Sequence, residues 1–294
     1  MELWLFYAIG SAVFAAATTI LAKIGLKNVN SHLATAIRTM VVLVFAWIMV
    51  FIVGSYSEIL QVDARTWIFL VLSGLSTGAS WLCYFRALKL GNVNKVVPID
   101  KSSVLLTMTI AIIFLAEDFT WLTIAGMVLI GVGTWLMIEF KKSDRNGEKA
   151  NKSWIFFAAL AAVFASMVAI FGRIGVAGIE ANLWTAVRTT IVVPLCWIMV
   201  LATREKRNEN RERDKIDLKS WVFLVLSGIA TGGSWLFFYH GLQVGNASQV
   251  VPIDKLSIVL VMLFARLFLG ERFSKRSLVG LALLVVGTLL PIVF

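Results

Sequence analysis

Charge is what this sequence most lacks. Only 15% of its 294 residues are Asp, Glu, Lys or Arg and 59% are hydrophobic, with a mean hydropathy of +0.87, whereas an ordinary soluble domain carries about 25% charged residues. That composition excludes water as the main solvent. Cysteine is scarce as well: Cys83 and Cys196 both lie in apolar stretches, so neither a disulfide framework nor a metal cluster is implied. The two histidines, His32 and His240, have no Cys, His or carboxylate neighbours at metal-ligand spacing, and no metal or cofactor is expected. A Gly-rich phosphate loop ahead of Lys-Ser/Thr and a G-x-S-x-G nucleophile turn are also missing, which leaves no basis for ATP hydrolysis or an enzyme in this chain.

Long apolar runs are what the sequence has in abundance. A hydrocarbon core of ~30 Å needs about 20 residues at helical rise, and only helices satisfy a lipid-exposed backbone in such runs. The expected spans are Leu3 to Ala22, Leu33 to Val53, Trp67 to Leu88, Val96 to Ala116 and Trp121 to Ile138, then Trp154 to Phe171, Leu183 to Ala202, Trp221 to Leu242, Val250 to Leu269 and Leu278 to Phe294. The first begins with Glu2 rather than a basic residue and is too long for a signal-peptide core, so it reads as a retained span.

The chain is one sequence written twice. Lys23-Ile-Gly25 recurs as Arg173-Ile-Gly175 and Thr35-Ala-Ile-Arg38-Thr39 as Thr185-Ala-Val-Arg188-Thr189, both at an offset of 150. Trp67-Ile-Phe-Leu-Val-Leu-Ser-Gly74 matches Trp221-Val-Phe-Leu-Val-Leu-Ser-Gly228, and Val96-Val-Pro-Ile-Asp-Lys101 matches Val250-Val-Pro-Ile-Asp-Lys255, at an offset of 154. The predicted fold is an all-α membrane protein of ten transmembrane helices, with repeats at 1–140 and 153–294 joined by a cytoplasmic linker at 141–152. Because each repeat has an odd number of spans, the second enters the bilayer inverted relative to the first.

A net charge of +10 suggests nucleic acid at first sight, but the basic residues sit in short connections between spans, where membrane topology selects for them. One face collects Lys23, Lys27, Lys89, Lys95, the linker cations, the run from Arg204 to Lys219, and Arg272, Lys275 and Arg276; the other has Arg65 and Arg173. The expectation is a multi-pass inner (plasma) membrane protein with basic loops in the cytoplasm and both termini outside. Nucleic acid is not an expected partner; the lipid bilayer and a small-molecule substrate are.

The doubled Val-Pro-Ile-Asp-Lys at 97–101 and 251–255, the doubled Ser-Trp-Leu from Ser80 and Ser234, and the acidic turns Leu115-Ala-Glu117 and Leu269-Gly-Glu271 resemble the EamA-type members of the drug/metabolite transporter superfamily. The likeness covers both halves. It implies ten helices around a central cavity, with spans 3, 4, 8 and 9 in its wall and spans 5 and 10 more peripheral. Family members of this size are usually drawn with cytoplasmic termini, the reverse of what the basic loops here indicate. Small multidrug resistance relatives carry a Glu inside their first helix, whereas this first span has no carboxylate beyond Glu2.

Candidate site residues follow from polar groups at membrane depth. Asp100 and Asp254 lie about five residues, or ~7 Å, inside the apolar starts of spans 4 and 9. An intramembrane carboxylate is costly, so each either lines a solute path or belongs to a structural ion pair near a helix N-terminus. Arg38 and Arg188, at similar depth, are the expected partners of the Asp in their own half. Lys101 and Lys255 project about 100° from the adjacent Asp and are expected to snorkel to the interface rather than neutralise it. Pro98 and Pro252 are expected in a first helical turn, where a missing N–H is harmless; helices starting nearer Asn94 and Ser248 would instead leave carbonyls free beside a solute. Gly74, Thr77, Gly78, Trp81 and Tyr84 share one face of span 3, repeated as Gly228, Thr231, Gly232, Trp235 and Phe238 in span 8, with Ser80 and Ser234 adjacent. The glycines read as close-packing positions, and Trp81 and Trp235 are too deep for an interfacial belt. Glu117 and Asp118, like Glu271 and Arg272, are expected to be solvated at short turns.

The resulting expectation is export of a small, amino-acid-like metabolite by alternating access, with Asp100 or Asp254 binding a substrate ammonium or a coupling proton. Two rivals stand beside it. Arg38, Arg188, Lys101 and Lys255 outnumber the two Asp residues and suit an anionic metabolite. A scaffold or lipid-handling protein that transports nothing is opposed by the repeated polar and aromatic face of spans 3 and 8.

Overall fold

A computed structural model describes residues 2–25, 29–90, 96, 99, 102–117, 120–137, 153–204, 216–269 and 273–293. Asp100, Lys101, Pro98, Asp118, Glu271, Arg272 and the 141–152 linker lie outside the described residues. The described residues contain α-helices and one 3-10 turn, and no strand. In chain order the helices are α1 (Leu3–Gly25), α2 (Ser31–Val53), α3 (Ala64–Leu90), α4 (Ser103–Phe114), α5 (Trp121–Leu136), α6 (Ser153–Val176), α7 (Ala181–Arg204), α8 (Leu218–Val244), α9 (Ala247–Lys255), α10 (Ser257–Leu269) and α11 (Lys275–Val293), the turn Ser55–Leu60 following α2.

Seven helical stretches among the described residues are long and apolar enough to cross a membrane, α1, α2, α3, α6, α7, α8 and the run Ala247–Phe264 across α9 and α10, and α4 and α5 are shorter apolar helices. Large side chains that a soluble protein would bury point outward, including Val44, Phe51, Ile113 and Val128, each more than half exposed. In hydrocarbon that exposure carries no penalty, so the helices turn apolar faces to lipid and keep small and polar residues for one another.

Short polar motifs set the helix ends. Asn30 accepts from the backbone N–H groups of His32 and Leu33 at the start of α2, and Gly54, at φ 82°, ends it in the left-handed conformation that lacks a Cβ penalty. Thr120 and Thr123 form a reciprocal capping box at α5.

The principal interfaces join one half of the chain to the other: α1 packs on α8, α3 on α6, α2 on α7 and α5 on α11. Repeat-equivalent helices run antiparallel where they meet. Trp47 of α2 donates to Thr190 of α7 (3.2 Å), while Cys196, further along α7, reaches back to Thr39, earlier in α2 (3.7 Å). The α5–α11 contact is backbone on backbone: a Cβ at Gly280 would stand 2.6 Å from the Gly133 carbonyl oxygen, and one at Gly287 2.7 Å from that of Gly126. Both α5 and α11 lie away from the cavity described below.

The ninth expected span differs from its sequence reading. It starts at Ala247, three residues early, so Pro252 is inside α9 rather than in the first turn, and the helix breaks at Leu256 before resuming as α10. Proline has no N–H to return to the Ser248 carbonyl, which weakens the segment that carries Asp254 and Lys255.

Candidate functional site

The site begins with close approach of α7 to α3. Gly74 admits Ile191, whose Cγ2 would be 2.8 Å from a Cβ there, and Gly78 admits Leu195. This proximity brings Arg188 of α7 against the Ser73 and Thr77 hydroxyls. Ser73 donates to the Val168 carbonyl (3.3 Å) and Thr77 to the Ser73 carbonyl (3.0 Å), so their lone pairs are left to accept from Arg188 Nε (3.0 Å) and Nη2 (2.5 Å). The guanidinium carbon lies 5.0 Å from the Trp235 ring centroid and 5.3 Å from that of Tyr239. Arg188 is 2% exposed, its Nη1 has no hydrogen-bond partner, and no carboxylate lies within salt-bridge distance among the described residues. The expected ion pair with Asp254 is therefore absent. Hydroxyl lone pairs and ring faces hold the charge instead.

The other repeat builds the mirror arrangement. Gly228 and Gly232 admit Val41 and Phe45 of α2, and Arg38 Nη2 donates to Thr231 (2.9 Å), which in turn donates to the Ser227 carbonyl (2.7 Å). Ser227 is tied to the Thr18 carbonyl (2.9 Å), the counterpart of the Ser73–Val168 bond. Ser80 and Ser234 are likewise equivalent, donating to the carbonyls of Ala161 (3.0 Å) and Ser11 (3.2 Å). Their hydroxyls tie helices together at the cavity wall.

Asp254 has partners that the sequence did not indicate. Its Oδ1 accepts from Ser11 of α1 (2.6 Å), and its Oδ2 is 3.3 Å from Lys255 Nζ. Lys255 thus neutralises its neighbour and lines the cavity, contrary to the snorkelling expectation. The 100° separation of adjacent residues is overcome by a flexible four-carbon stem at the end of a short helix.

Glu117 is a further correction. Expected in solvent, it is 9% exposed, and its two oxygens accept from the backbone N–H groups of Ala247 (2.8 Å) and Ser248 (2.9 Å). The N-cap residue of α9, Asn246, makes no side-chain cap bond, so a carboxylate from the other half satisfies those orphan donors and favours the positive helix end. Ala116, at φ 51°, bends the chain to present it.

These groups surround a cavity of about 430 Å³ that Arg38, Trp81, Arg188, Trp235, Asp254 and Lys255 all line. It merges with a chamber of about 440 Å³ that adds Thr35 and Tyr84, towards the end of the bundle where the basic connections lie. Among its described lining residues, three cations face one carboxylate.

The opposite end is laced together. Gln243 of α8 donates to the carbonyls of Val176 (3.3 Å) and Ile179 (3.1 Å), His240 lies 3.5 Å from Glu180, and Tyr7 stacks on His240 at 5.1 Å. Burial disfavours the Glu180 charge, but hydrogen bonds from His240 and from the Asn182 and Leu183 segment outweigh it and bring its pKa down to about 2. His240 had no sequence signal beyond being one of two histidines; its partner lies 60 residues away in the chain.

Similarity to known proteins agrees with this architecture. A crystal structure at 18% identity superposes with a TM-score of 0.77 over 96% of this chain and 94% of its own, a likeness of fold. An uncharacterized transporter from Archaeoglobus fulgidus is 24% identical over 269 residues, 90% of this chain and 89% of its own. An uncharacterized transporter in the cobO 3' region of a Sinorhizobium species is 43% identical over 144 residues, which is 49% of this chain but 99% of that protein. A relative about half the size of this chain is thus matched over nearly its whole length. The model of the EamA-like transporter family matches twice, over residues 2–139 and 152–293. A lipid-facing helical bundle around a polar cavity, carrying that double match, is a multi-pass membrane transporter rather than an enzyme, and the chain belongs to the EamA-like transporter family.

Proposed function

We propose that the protein is a secondary transporter that exports a small organic solute bearing a carboxylate, amino-acid-like solutes included, by alternating access of the cavity around Arg188. The observation that carries this reading is a buried guanidinium with no acidic partner among the described residues and one nitrogen unsatisfied. An intramembrane charge in that state is expensive, and a carboxylate docking bidentately on it supplies the missing acceptor. Trp235 and Tyr239 lie 5.0 and 5.3 Å from the guanidinium carbon, and Asp254 is the group proposed to receive a substrate ammonium or a coupling proton in exchange with Lys255. Asp100 and Lys101 are the corresponding candidates in the first repeat.

The architecture proposed for this transport cycle is ten crossings in two inverted repeats, 1–140 and 153–294. Antiparallel packing of the equivalent helices α2 and α7 supports it, as does the match of a half-length relative. The basic loops support an inner-membrane placement with cytoplasmic linker and external termini, so that the chamber reached by Thr35 and Tyr84 faces the cytoplasm.

Proteoliposome counterflow tests the reading. Carboxylate-bearing solutes are expected to compete, their amides and decarboxylated analogues are not, and Arg188→Gln is expected to abolish the effect. Equal competition by amides would overturn the role of Arg188. Impermeant labelling of cysteines at positions 149 and 211 is expected to report the same membrane side.

A further inference from the structure

At the end of the bundle remote from the basic loops is a second cavity, of about 550 Å³, walled by the turns after α2, α4, α6 and α8. Four charged side chains converge on it: Asp63, Arg65, Glu117 and Arg173. Both acids have backbone partners, and Asp63 also feels the charge of Arg65. Asp63 Oδ1 accepts from the Thr66 backbone N–H (2.9 Å) at the start of α3, and both Glu117 oxygens cap α9. Neither arginine lies within salt-bridge distance of a carboxylate among the described residues. Arg173 Nε is buried without a hydrogen-bond partner among the described residues, and the Arg65 guanidinium carbon lies 6.0 Å from the Phe69 ring centroid. These are also the two arginines that break the charge asymmetry of the sequence, standing alone on a face otherwise free of basic residues.

We infer that this cavity is a second binding site, distinct from the Arg188 cavity, in which Arg65 and Arg173 together take the oxyanion of a small solute or of a lipid headgroup. Guanidinium forks match carboxylate and phosphate geometry bidentately, and Asp63, which attracts Arg65 without forming an ion pair with it, leaves the fork's donors open to a solute oxyanion. Glu117 forms the wall between this vestibule and the helix that carries Asp254. An anion seated here is held just outside the closed end of the central cavity.

Residue-resolved modification of arginine by phenylglyoxal, read by peptide mass spectrometry on the full-length protein in nanodiscs, tests the inference. In phosphatidylcholine discs, saturating succinate or inorganic phosphate is expected to slow modification of both Arg65 and Arg173 about tenfold. Protection in phosphatidylglycerol discs with no added solute assigns the oxyanion to lipid; protection by solute in neutral lipid assigns it to solute. Arg188→Gln is expected to leave protection at Arg65 and Arg173 intact, which separates this site from the central one. Loss of protection in that variant, or no protection of the wild-type protein by succinate, phosphate or anionic lipid, would overturn the inference.

Discussion

The guanidinium carbon of Arg188 sits 5.0 Å from the Trp235 indole centroid, although the two residues belong to different helices, and no carboxylate among the described residues lies within salt-bridge distance of Arg188. A desolvated cation on an indole face is worth about 2 kcal/mol. That contact is made before any solute arrives, so Trp235→Leu is expected to lower folding stability and to weaken solute affinity by releasing the guanidinium from its fixed orientation, with Trp235→Phe losing less. Tryptophan-fluorescence or counterflow titration measures it, and an unchanged affinity in Trp235→Leu would remove the aromatic support.

Arg188→Met separates function from stability. Replacing a buried cation that has no acidic partner with a side chain of similar volume is expected to raise the thermal midpoint while abolishing transport. Ser73 and Thr77 lose little, since each keeps its carbonyl acceptor. A lower midpoint would mean that the guanidinium holds the fold together.

Glu117→Ala strands the α9 donors in a buried setting. A destabilisation of about 1–3 kcal/mol is expected, together with increased labelling of Cys introduced at Ser248 by an impermeant thiol reagent. The experiment is done after replacing Cys83 and Cys196. Glu117→Gln, which keeps an acceptor, is expected to be intermediate.

Glu180 links the closed end to pH. Its pKa in the folded protein, about 2, is below the ordinary value of 4.5, so its stabilising contribution is complete above about pH 4.5 and is lost as pH falls through about 2. Thermal unfolding followed from pH 6 to pH 3 is expected to show an acid-dependent fall that Glu180→Gln reduces. A fall of equal size in the variant would assign the acid sensitivity to other groups.

Gly280→Leu and Gly287→Leu test the α5–α11 seam, since a side chain has no room beside the opposing carbonyls. Both are expected to lower the thermal midpoint, while solute affinity in the surviving folded protein is unchanged because the seam is away from the cavity. Altered affinity would tie the seam to the site.

Residues that depend on local pattern were legible in the sequence. Apolar runs announced the helices, the doubled Ser-Gly and Arg-Thr motifs announced paired elements, and Gly74, Gly78, Gly228 and Gly232 were readable as close-approach positions. The resemblance of Trp81, Trp235, Asp254 and their neighbours to a cavity wall rested on the same repetition. Glu117 was misread because a carboxylate at a short turn looks solvated until a helix N-terminus from the other half is laid against it. Lys255 was misread because helical projection locates the Cα–Cβ bond, not the end of a long side chain.

The sequence alone determined the solvent, the helical composition and the duplication, because scarcity of charge and backbone hydrogen-bond demand act locally and leave few alternatives in lipid. Only the tertiary structure decided which hydroxyls and rings surround Arg188, which serine holds Asp254, and which ends are capped or laced. Those partners come from helices more than 40 residues away in the chain, and their meeting depends on how closely small residues let two backbones approach.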